Sequence, residues 1–344
     1  MQNIFDISPD HIVEQLKAWQ EPKFRVQQIL TSAWNNPNSF FTTDSTLPLK
    51  LRLQIKKHFF IPDSPKIYKS ITDKDGTCKI TLKLLDNSLI ESVAIPQKER
   101  LTFCLSSQVG CNIGCKFCAT AKMGFIRNLT ASEIILQLHT LTKLVNKKPT
   151  NIVFMGMGEP LQNLTNLRIA LEIISKPYIW NWNSNKTLVS TCGWLPGIEA
   201  IIANPIPARL AVSLNSINNK IRSQLMPINQ KFSLEKLLAT LQVYNKKIKK
   251  TITCEYVLIK NINDSILSAR ILARILKKLK AKLNLIPYNN INHDKFLPPD
   301  KLVLNKFLQE LKKNNIITTL RLSKGNNIKA ACGQLATAYN RRKK

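Results

Sequence analysis

Beyond residue 130 the chain alternates short apolar runs with longer segments of helical period. The strand candidates are NIVFMG (151–156), TLVST (187–191), ARLAVSL (208–214), ITCEYVLI (252–259), AKLNLIPY (281–288) and ITTLRLS (317–323). Between most of them lie the helix candidates NLRIALEIIS, SLEKLLATLQVY, ILSARILARILKKLK and KLVLNKFLQELKK. Such alternation makes strands pair in parallel through right-handed crossovers, which predicts an α/β barrel or an open wound sheet. In either architecture the chemistry lies at the carboxyl ends of the strands.

The first hundred residues follow a different pattern. Ser8 followed by Pro9 is typical of a helix start, and KFRVQQILTSAW repeats apolar residues at helical spacing. From Cys78 onward the short runs CKITLKLL, LIESVAIP and LTFCLSS predict strands. We therefore expect a small helical accessory domain with its linker over residues 1–77, and a larger α/β domain with an N-terminal strand extension over residues 78–344.

The charge of the chain points to a polyanionic partner. It has 51 Lys and Arg against 21 Asp and Glu, a net charge of +30. This excess favours nucleic-acid binding, although abundant Lys, Asn and Ile are also typical of an AT-rich genome. No apolar run approaches the roughly 20 residues that cross a bilayer, and the first residues lack a signal-peptide pattern. We expect a cytoplasmic protein without a membrane segment, in which the eight cysteines are ligands, nucleophiles or core residues rather than stable disulfides.

Three cysteines, Cys111, Cys115 and Cys118, lie close together in VGCNIGCKFCATAKMGF. Structural zinc usually takes four ligands, often in two separated pairs, and no fourth partner of matching spacing is present. A disulfide among the three is unmotivated in a reducing compartment. Three thiolates on one loop match three corners of a cubic 4Fe-4S cluster and leave one iron open to a ligand.

Polar residues follow several of the strand candidates. In FMGMGEP, Gly156 and Gly158 are expected to let backbone approach a ligand, and Glu159 to accept a hydrogen bond from an ammonium group. A dinucleotide site is disfavoured because the third glycine is missing. Ser190, the stretch Ser213, Leu214, Asn215, and Asn289 also end strand candidates, where they either contact a ligand or cap the strand.

The spacing C-x-x-x-C-x-aromatic-C resembles the cluster loop of the radical S-adenosylmethionine (SAM) enzymes. The blocks CLSSQVGCNIGCKFCATAKMGFIRNLT, FMGMGEPLQN, EYVLIKNIND, NLIPYN and AACGQLA resemble, in the same order, bacterial dual-specificity RNA methyltransferases that methylate C2 of adenine in 23S ribosomal RNA and in certain tRNAs. The resemblance covers nearly the whole chain and implies a partial (β/α)6 TIM-like radical SAM barrel. Asn215 departs from it, because relatives usually have His there, and residues 178–186 match weakly.

The resemblance also implies a cofactor set. Cys111, Cys115 and Cys118 would hold one 4Fe-4S cluster, and two SAM molecules would be used in each turnover. The SAM contacts would be Gly158, Glu159, Ser190, Ser213, Leu214, Asn215 and Asn289. The implied partners are 23S rRNA, tRNA and a flavodoxin-like electron-donor protein, and basic residues in RNLT and NRRKK are candidates for contact with the RNA backbone.

Three further residues carry the implied chemistry, because C2 of adenine is too electron-poor for ordinary polar methylation. Cys332 would take a methyl group from one SAM and, after hydrogen abstraction, join the RNA through that carbon. Glu91 would accept a proton from the adduct. Cys104 would then attack Cys332, releasing the methylated base and leaving a transient disulfide that a reductant must reset.

Other interpretations stay open at this point. From the pattern alone, small core residues are the favoured interpretation of both Cys104 and Cys332. The shared thiol chemistry does not separate a C2 methyltransferase from one that methylates C8 of ribosomal adenine. A basic RNA-binding protein with a structural metal site is the non-enzymatic alternative.

Overall fold

The structure is a computed structural model that describes residues 1–35, 46–63, 65–291 and 295–337. Its strands are β1 (Gln2–Asn3), β2 (Phe59–Phe60), β3 (Lys66–Thr72), β4 (Cys78–Lys83), β5 (Leu89–Gln97), β6 (Arg100–Cys104), β7 (Gln108–Gly110), β8 (Phe125–Asn128), β9 (Asn151–Phe154), β10 (Thr187–Thr191), β11 (Arg209–Ser213), β12 (Thr253–Leu258), β13 (Lys282–Pro287) and β14 (Thr318–Leu320). Its helices are α1 (Pro9–Ala18), α2 (Arg25–Asn35), α3 (Leu49–His58), α4 (Ala119–Lys122), α5 (Ala131–Val145), α6 (Leu164–Ser175), α7 (Leu195–Ala203), α8 (Asn219–Leu225), α9 (Ile228–Lys231), α10 (Leu234–Ile248), α11 (Ile266–Lys278) and α12 (Lys301–Lys313).

One ten-stranded sheet organises the molecule, in the order β14-β13-β12-β11-β10-β9-β6-β5-β4-β3. Strands β6 and β9 to β14 pair in parallel, as the alternation predicted, whereas β6, β5, β4 and β3 form an antiparallel extension. The parallel part curls into an open barrel, because a single cavity is lined by residues of β6 and of β14, which stand at its opposite ends. The predicted α/β class is confirmed, with strand bounds slightly shorter than the apolar runs.

The helix starts follow the capping residues in the sequence. The Ser8 side chain accepts from the His11 amide at 3.2 Å, with Pro9 in the first turn of α1. Thr130 and Glu133 form a capping box at the start of α5, shortly after the cysteine loop. Helix α5 therefore begins where the loop ends, which fixes the loop against the sheet.

The N-terminal helices pack against the barrel through aromatic residues. Trp34 of α2 makes edge contacts with His139 of α5 and with Trp180, at centroid distances of 5.4 and 5.7 Å. The Thr31 hydroxyl donates to the Tyr178 carbonyl at 2.7 Å. The weakly matching stretch 178–186 thus contributes to docking the N-terminal helices.

The linker predicted before residue 78 contains a strand that the sequence did not indicate. Strand β3 is exposed and pairs antiparallel with β4 across the expected boundary. Its residues show almost no alternation of buried and exposed side chains, so only the pairing with β4 makes this segment a strand. None of the helices in the four described ranges is long and apolar enough to cross a membrane.

Candidate active site

A cavity of about 160 Å³ lies at the carboxyl ends of the central parallel strands. Of the residues selected from the sequence, its wall contains Cys111, Cys115, Cys118, Gly158, Glu159, Ser190, Ser213, Asn215, Asn289 and Cys332. Leu214, Cys104 and Glu91 do not line it. The location agrees with the expectation for parallel strands, because the turns that follow them converge at this edge.

The cysteine loop is closed at its base by the antiparallel β7–β8 hairpin. The Cys111 amide donates to the Gly124 carbonyl at 2.8 Å, and the Cys118 amide donates to the Cys115 carbonyl at 3.2 Å. Gly110 has a φ of +76°, and a Cβ there would lie 1.9 Å from the Gly124 carbonyl oxygen. Only glycine fits this closure, which brings the three thiols to one cavity.

The thiols of this loop need a cationic centre if all three are to ionise. Burial, together with negative charge on Cys118, raises the pKa of Cys111 to about 12. Burial also raises the pKa of Cys115 well above its ordinary value. No group of three or more His, Cys, Asp or Glu side chains in the described ranges is spaced to hold one metal ion. An iron–sulfur core supplies the compensating charge and takes cysteine ligands, so this donor set fits it.

Glu159 places a buried carboxylate just after β9. Its Oε2 accepts from the Cys192 amide at 2.7 Å and its Oε1 from the Leu161 amide at 3.1 Å. Burial raises the pKa of this carboxyl, while these hydrogen bonds act in the opposite direction. Within the described residues Glu159 has no ion-pair partner. A cationic ligand such as an ammonium group would therefore complete its surroundings.

The two glycines before Glu159 have a reason within the protein. A Cβ at Gly156 would lie 2.7 Å from the Leu105 carbonyl oxygen, and one at Gly158, where φ is +100°, would lie 2.5 Å from the Gln108 Cβ. Both glycines thus let the end of β9 pack against the segment that enters the cysteine loop. They also line the cavity, and their approach to a ligand stays a prediction.

A second buried carboxylate, Glu255 of β12, lines the cavity. The Ser190 hydroxyl donates to its Oε2 at 2.6 Å, and the Ser213 hydroxyl donates to the same oxygen at 3.5 Å. Its Oε1 is buried without a hydrogen-bond partner among the described residues. Because an unpartnered buried oxygen is costly, Glu255 is suited to accept a hydrogen bond from a ligand.

Asn215 and Leu214 form the turn after β11. Asn215 has a φ of +55°, a left-handed conformation that Asn adopts more readily than most residues. Its Oδ1 accepts from the Val257 amide at 2.8 Å and its Nδ2 contacts the Met226 sulfur at 3.2 Å. The Leu214 side chain is fully buried in the core. Asn215 thus ties the end of β11 to β12 while lining the cavity.

The loop that carries Cys332 is docked onto the cysteine loop. The Ala119 amide donates to the Gly333 carbonyl at 2.7 Å. Asn289 donates from Nδ2 to the Cys332 carbonyl at 3.0 Å. The amide predicted to contact SAM therefore holds the Cys332 loop at the mouth of the cavity.

The two thiols with predicted redox roles lie near each other. Cys332 is exposed as a whole residue, yet its thiol is enclosed by protein, and this burial raises the pKa of the thiol to about 11. Cys104, at the end of β6, is buried; burial and then the charge of Cys332 raise the pKa of its thiol. Both thiols line a second cavity inside the barrel.

Glu91 lies on β5, away from the cavity. Its Oε1 pairs with the Lys79 ammonium at 3.0 Å, and its Oε2 accepts from the Ala336 amide at 2.9 Å. The same Lys79 donates to the Lys329 carbonyl at 3.1 Å. Burial raises the pKa of Glu91, and Lys79 opposes that shift. The Lys79–Glu91 ion pair therefore contacts the segment that carries Cys332 at both ends, at Lys329 and at Ala336.

Comparison with known proteins decides the family. Residues 105–269 match the Radical SAM superfamily. The dual-specificity RNA methyltransferase RlmN of Lawsonia intracellularis is 44% identical over 331 residues, which cover 93% of this chain and 92% of that protein. The chain belongs to the RlmN family.

Further RlmN relatives and a solved structure agree. A probable dual-specificity RNA methyltransferase RlmN of Akkermansia muciniphila is 41% identical over 91% of this chain and 89% of its own length. The crystal structure of a radical SAM methyltransferase from Sphaerobacter thermophilus superposes with a TM-score of 0.87 at 34% identity, covering 97% of this chain and 99% of that one. The resemblance found in the sequence and the radical SAM barrel are thereby confirmed, and with them an enzyme that uses SAM and an iron–sulfur cluster.

The RlmN-family site contains residues that sequence reasoning missed. Glu255 interrupts the apolar run ITCEYVLI, and a charged residue inside a buried strand was the available signal. Cys192 lines the cavity and donates its amide to Glu159. Arg222 is buried and donates to the Cys192 and Leu214 carbonyls, at 2.8 and 3.0 Å. Nothing in the sequence around Cys192 or Arg222 marks them, because Cys192 follows β10 and Arg222 lies on α8, and only the fold brings the two together.

Of the two basic segments proposed to contact RNA, the structure describes RNLT. Arg127 in RNLT is held within the protein by ion pairs to Asp86 and Glu133, both at 2.7 Å. Its guanidinium therefore secures the β7–β8 hairpin. The tail NRRKK lies outside the described residues.

Proposed function

We propose that this chain methylates C2 of adenine in 23S rRNA and in tRNA, in the cytoplasm where these RNAs lie. The observation that carries the proposal is one cavity whose wall joins the three loop cysteines, the unpaired carboxylate of Glu159 and Cys332. RlmN-family membership makes this combination the expected one for a radical methyl transfer. The net charge of +30 supports binding of an RNA polyanion.

Cys111, Cys115 and Cys118 would hold a 4Fe-4S cluster, and a flavodoxin-like protein would supply its electrons. A cluster held by these cysteines would supply the electron for a reductive, radical-forming cleavage of SAM. Glu159 is suited to bind the ammonium of SAM, because no described Lys, Arg or His forms an ion pair with its buried carboxylate. Glu255 with Ser190 and Ser213 is suited to accept from ribose hydroxyls, since the Glu255 Oε1 has no hydrogen-bond partner in the described part of the chain.

Cys332 is proposed to receive the methyl group that is later delivered to the RNA. A displacement requires the thiolate, which burial disfavours by raising the pKa to about 11. Arg321 acts in the opposite direction, and the positive sulfonium of SAM would do the same. Two SAM molecules are then consumed in each turnover, one for the methyl group and one for the radical.

Glu91 and Cys104 are proposed to complete the reaction. Glu91 would accept a proton from the RNA adduct; its carboxylate contacts the backbone of Ala336, in the segment that carries Cys332. The nearby Cys104 thiol would then form a disulfide with Cys332 and free the methylated base. This disulfide has to be reduced before the next turnover.

The test is reconstitution of the protein with iron and sulfide in the absence of oxygen, followed by incubation with 23S rRNA or tRNA and methyl-deuterated SAM. Mass analysis of the nucleosides should show labelled 2-methyladenosine. Labelled 8-methyladenosine would replace the proposed regiochemistry, and unmodified RNA with bound protein would favour a binding role.

The two thiols give a matched pair of variants for the mechanism. Cys332→Ala should take up no methyl group from SAM. Cys104→Ala should be methylated and should accumulate RNA linked to the protein, because release is blocked. A Cys104→Ala protein that releases methylated RNA at the wild-type rate would contradict resolution by this thiol.

A further inference from the structure

A second cavity, of about 590 Å³, runs inside the barrel towards the amino ends of the parallel strands. Its cationic lining residues are Arg100, Lys186, Arg209, Lys282, Arg321 and Lys324. Arg100, Arg209 and Lys282 are the first residues of β6, β11 and β13, and Lys186 directly precedes β10. The charged mouth is thus at the end of the barrel opposite the SAM cavity.

Most cations of this cavity have no acidic partner within the described part of the chain. No Asp or Glu is among the described residues that line it. Lys324 has a distant partner in Asp75, at 3.8 Å, and the other five form no ion pair with any described residue. A cleft of one charge sign between low-dielectric walls concentrates ligands of the opposite charge. The cavity therefore attracts small anions.

The two predicted redox thiols divide between the cavities. Cys104 lines only the cationic cavity, whereas Cys332 lines both. Arg100 at the mouth and Cys104 inside are four strand residues apart, which is roughly 13 Å. A small molecule entering from the amino ends thus reaches the Cys104 side of the thiol pair without passing through the SAM cavity.

We propose that the cationic cavity is the entrance for the reductant that resets the Cys104–Cys332 disulfide, and that this reductant is an anionic low-molecular-weight thiol. The inference rests on the proposed function, because it needs that disulfide. A thiolate attacks one sulfur of the disulfide, forms a mixed disulfide and expels the other cysteine as a thiolate, which takes up a proton. A second thiolate attacks the sulfur of the bound reductant, so two thiols leave as one disulfide and both cysteines are reduced.

The positive charge of the cavity and the depth of Cys104 inside the barrel both favour this class of reductant. Positive charge along the cationic cavity raises the local concentration of a carboxylated or sulfonated thiol and favours its thiolate form. A protein dithiol would have to insert its active site through the depth of the barrel to reach Cys104. A small anionic thiol is attracted by the cations and is small enough to pass through the barrel to Cys104.

The experiment uses the full-length chain oxidised so that Cys104 and Cys332 are joined, as verified by peptide mass. Three thiols of one skeleton serve as probes: mercaptoethanesulfonate, mercaptoethanol and cysteamine, which are anionic, neutral and cationic. Each rate of reduction is divided by the rate of the same thiol on a neutral small-molecule disulfide, so that intrinsic reactivity cancels. We expect a preference for the anionic over the neutral probe of about ten-fold at low salt, and discrimination against the cationic probe.

The variants distinguish the effect of the cationic cavity from the effect of the overall charge of the chain. The double variant Arg209→Gln with Lys282→Gln should lose most of the preference, because the rate with mercaptoethanesulfonate should fall much more than the rate with mercaptoethanol. Lys312→Gln, which removes an exposed charge on α12, should keep the preference. Loosened packing would raise the rates of all three probes, whereas the expected loss of preference comes from a lower rate with mercaptoethanesulfonate, so the individual rates distinguish the two.

Equal normalised rates for the three probes, or a preference that survives the double variant, would overturn the inference alone. Faster reduction by a protein dithiol, insensitive to the double variant, would likewise overturn it. Failure of Cys104 and Cys332 to form a disulfide would instead overturn the resolution step of the proposed function, and the inference would fall with it.

Discussion

The two cavities of the barrel carry opposite charge although they share a wall. The cavity at the carboxyl ends is lined by Glu159 and Glu255, and none of its described lining residues is Lys or Arg. The cavity towards the amino ends has six cationic residues and no carboxylate among its described lining residues. In a chain of net charge +30, two carboxylates with no Lys or Arg among the described residues around them support the proposal that the ligand of this cavity is cationic, as SAM is.

A third buried carboxylate sharpens this comparison, because Glu91 has a cation of its own. Lys79→Met would leave Glu91 buried without its partner, and we expect a loss of about 3–5 kcal/mol in the free energy of unfolding. Burial already raises the pKa of Glu91, so the native state holds the proton more tightly than the unfolded chain. The loss should therefore grow as the pH rises above the ordinary carboxyl pKa.

Chemical denaturation of Lys79→Met at several pH values measures this effect. The double variant Lys79→Met with Glu91→Gln is the control and should recover much of the stability. A loss that does not depend on pH would mean that Glu91 is not the group left unpaired.

The wall of the carboxylate cavity depends on a close backbone contact at Gly158. Gly158→Ala adds a Cβ 2.5 Å from the Gln108 Cβ at a φ of +100°, so we expect a loss of about 3 kcal/mol. Gly124→Ala is the matched control: it also has positive φ, but a Cβ there would meet nothing within 4 Å, and about 1 kcal/mol should be lost. Equal losses in urea denaturation would show that packing on Gln108 is unimportant.

Glu159→Gln tests whether the carboxylate cavity binds a cation. A hydrogen bond to a charged ammonium contributes about 2 kcal/mol, so the dissociation constant for SAM should rise roughly 30-fold. Calorimetric titration of the reconstituted enzyme measures it. Glu199→Gln, on the exposed face of α7, removes the same charge and should leave the affinity unchanged. Unaltered binding by Glu159→Gln would end the assignment of this residue.

Cys332, at the border between the cavities, feels both charge signs. Glu255 raises the pKa of its thiol and Arg321 lowers it. At a pH below about 11, Glu255→Gln should increase the thiolate fraction and Arg321→Gln should decrease it, each by roughly three- to ten-fold. The rate of Cys332 alkylation by iodoacetamide, followed by peptide mass across pH, measures both. Shifts of the same sign in both variants would contradict the opposing charges.

The loop cysteines and the strand ends could be found from the sequence. Apolar runs with helical segments between them fix parallel pairing, and parallel pairing places the turns after the strands on one edge, so Glu159, Ser190 and Asn289 reach one cavity. The capping pair Thr130 and Glu133 fixed the start of α5 in the same local way.

Residues that act through distant partners escaped the sequence. Glu255 is one of many polar residues until Ser190, 65 positions earlier, is seen to donate to it. Lys79 resembles any other lysine of a basic chain until Glu91 is opposite it. Strand β3 exists because β4 offers it hydrogen bonds.

The sequence by itself determined the family, the α/β class, the cysteine loop and most of the residues around the proposed SAM site, because these depend on local period and on short spacings along the chain. Only the tertiary structure decided where charge collects. Curling of the sheet brings β6 and β14 to one cavity, gathers cations from the starts of several strands, and leaves Cys332 between that cavity and the carboxylates. Charges far apart in sequence come close only when the sheet closes, so no local sequence pattern predicts the net charge of either cavity.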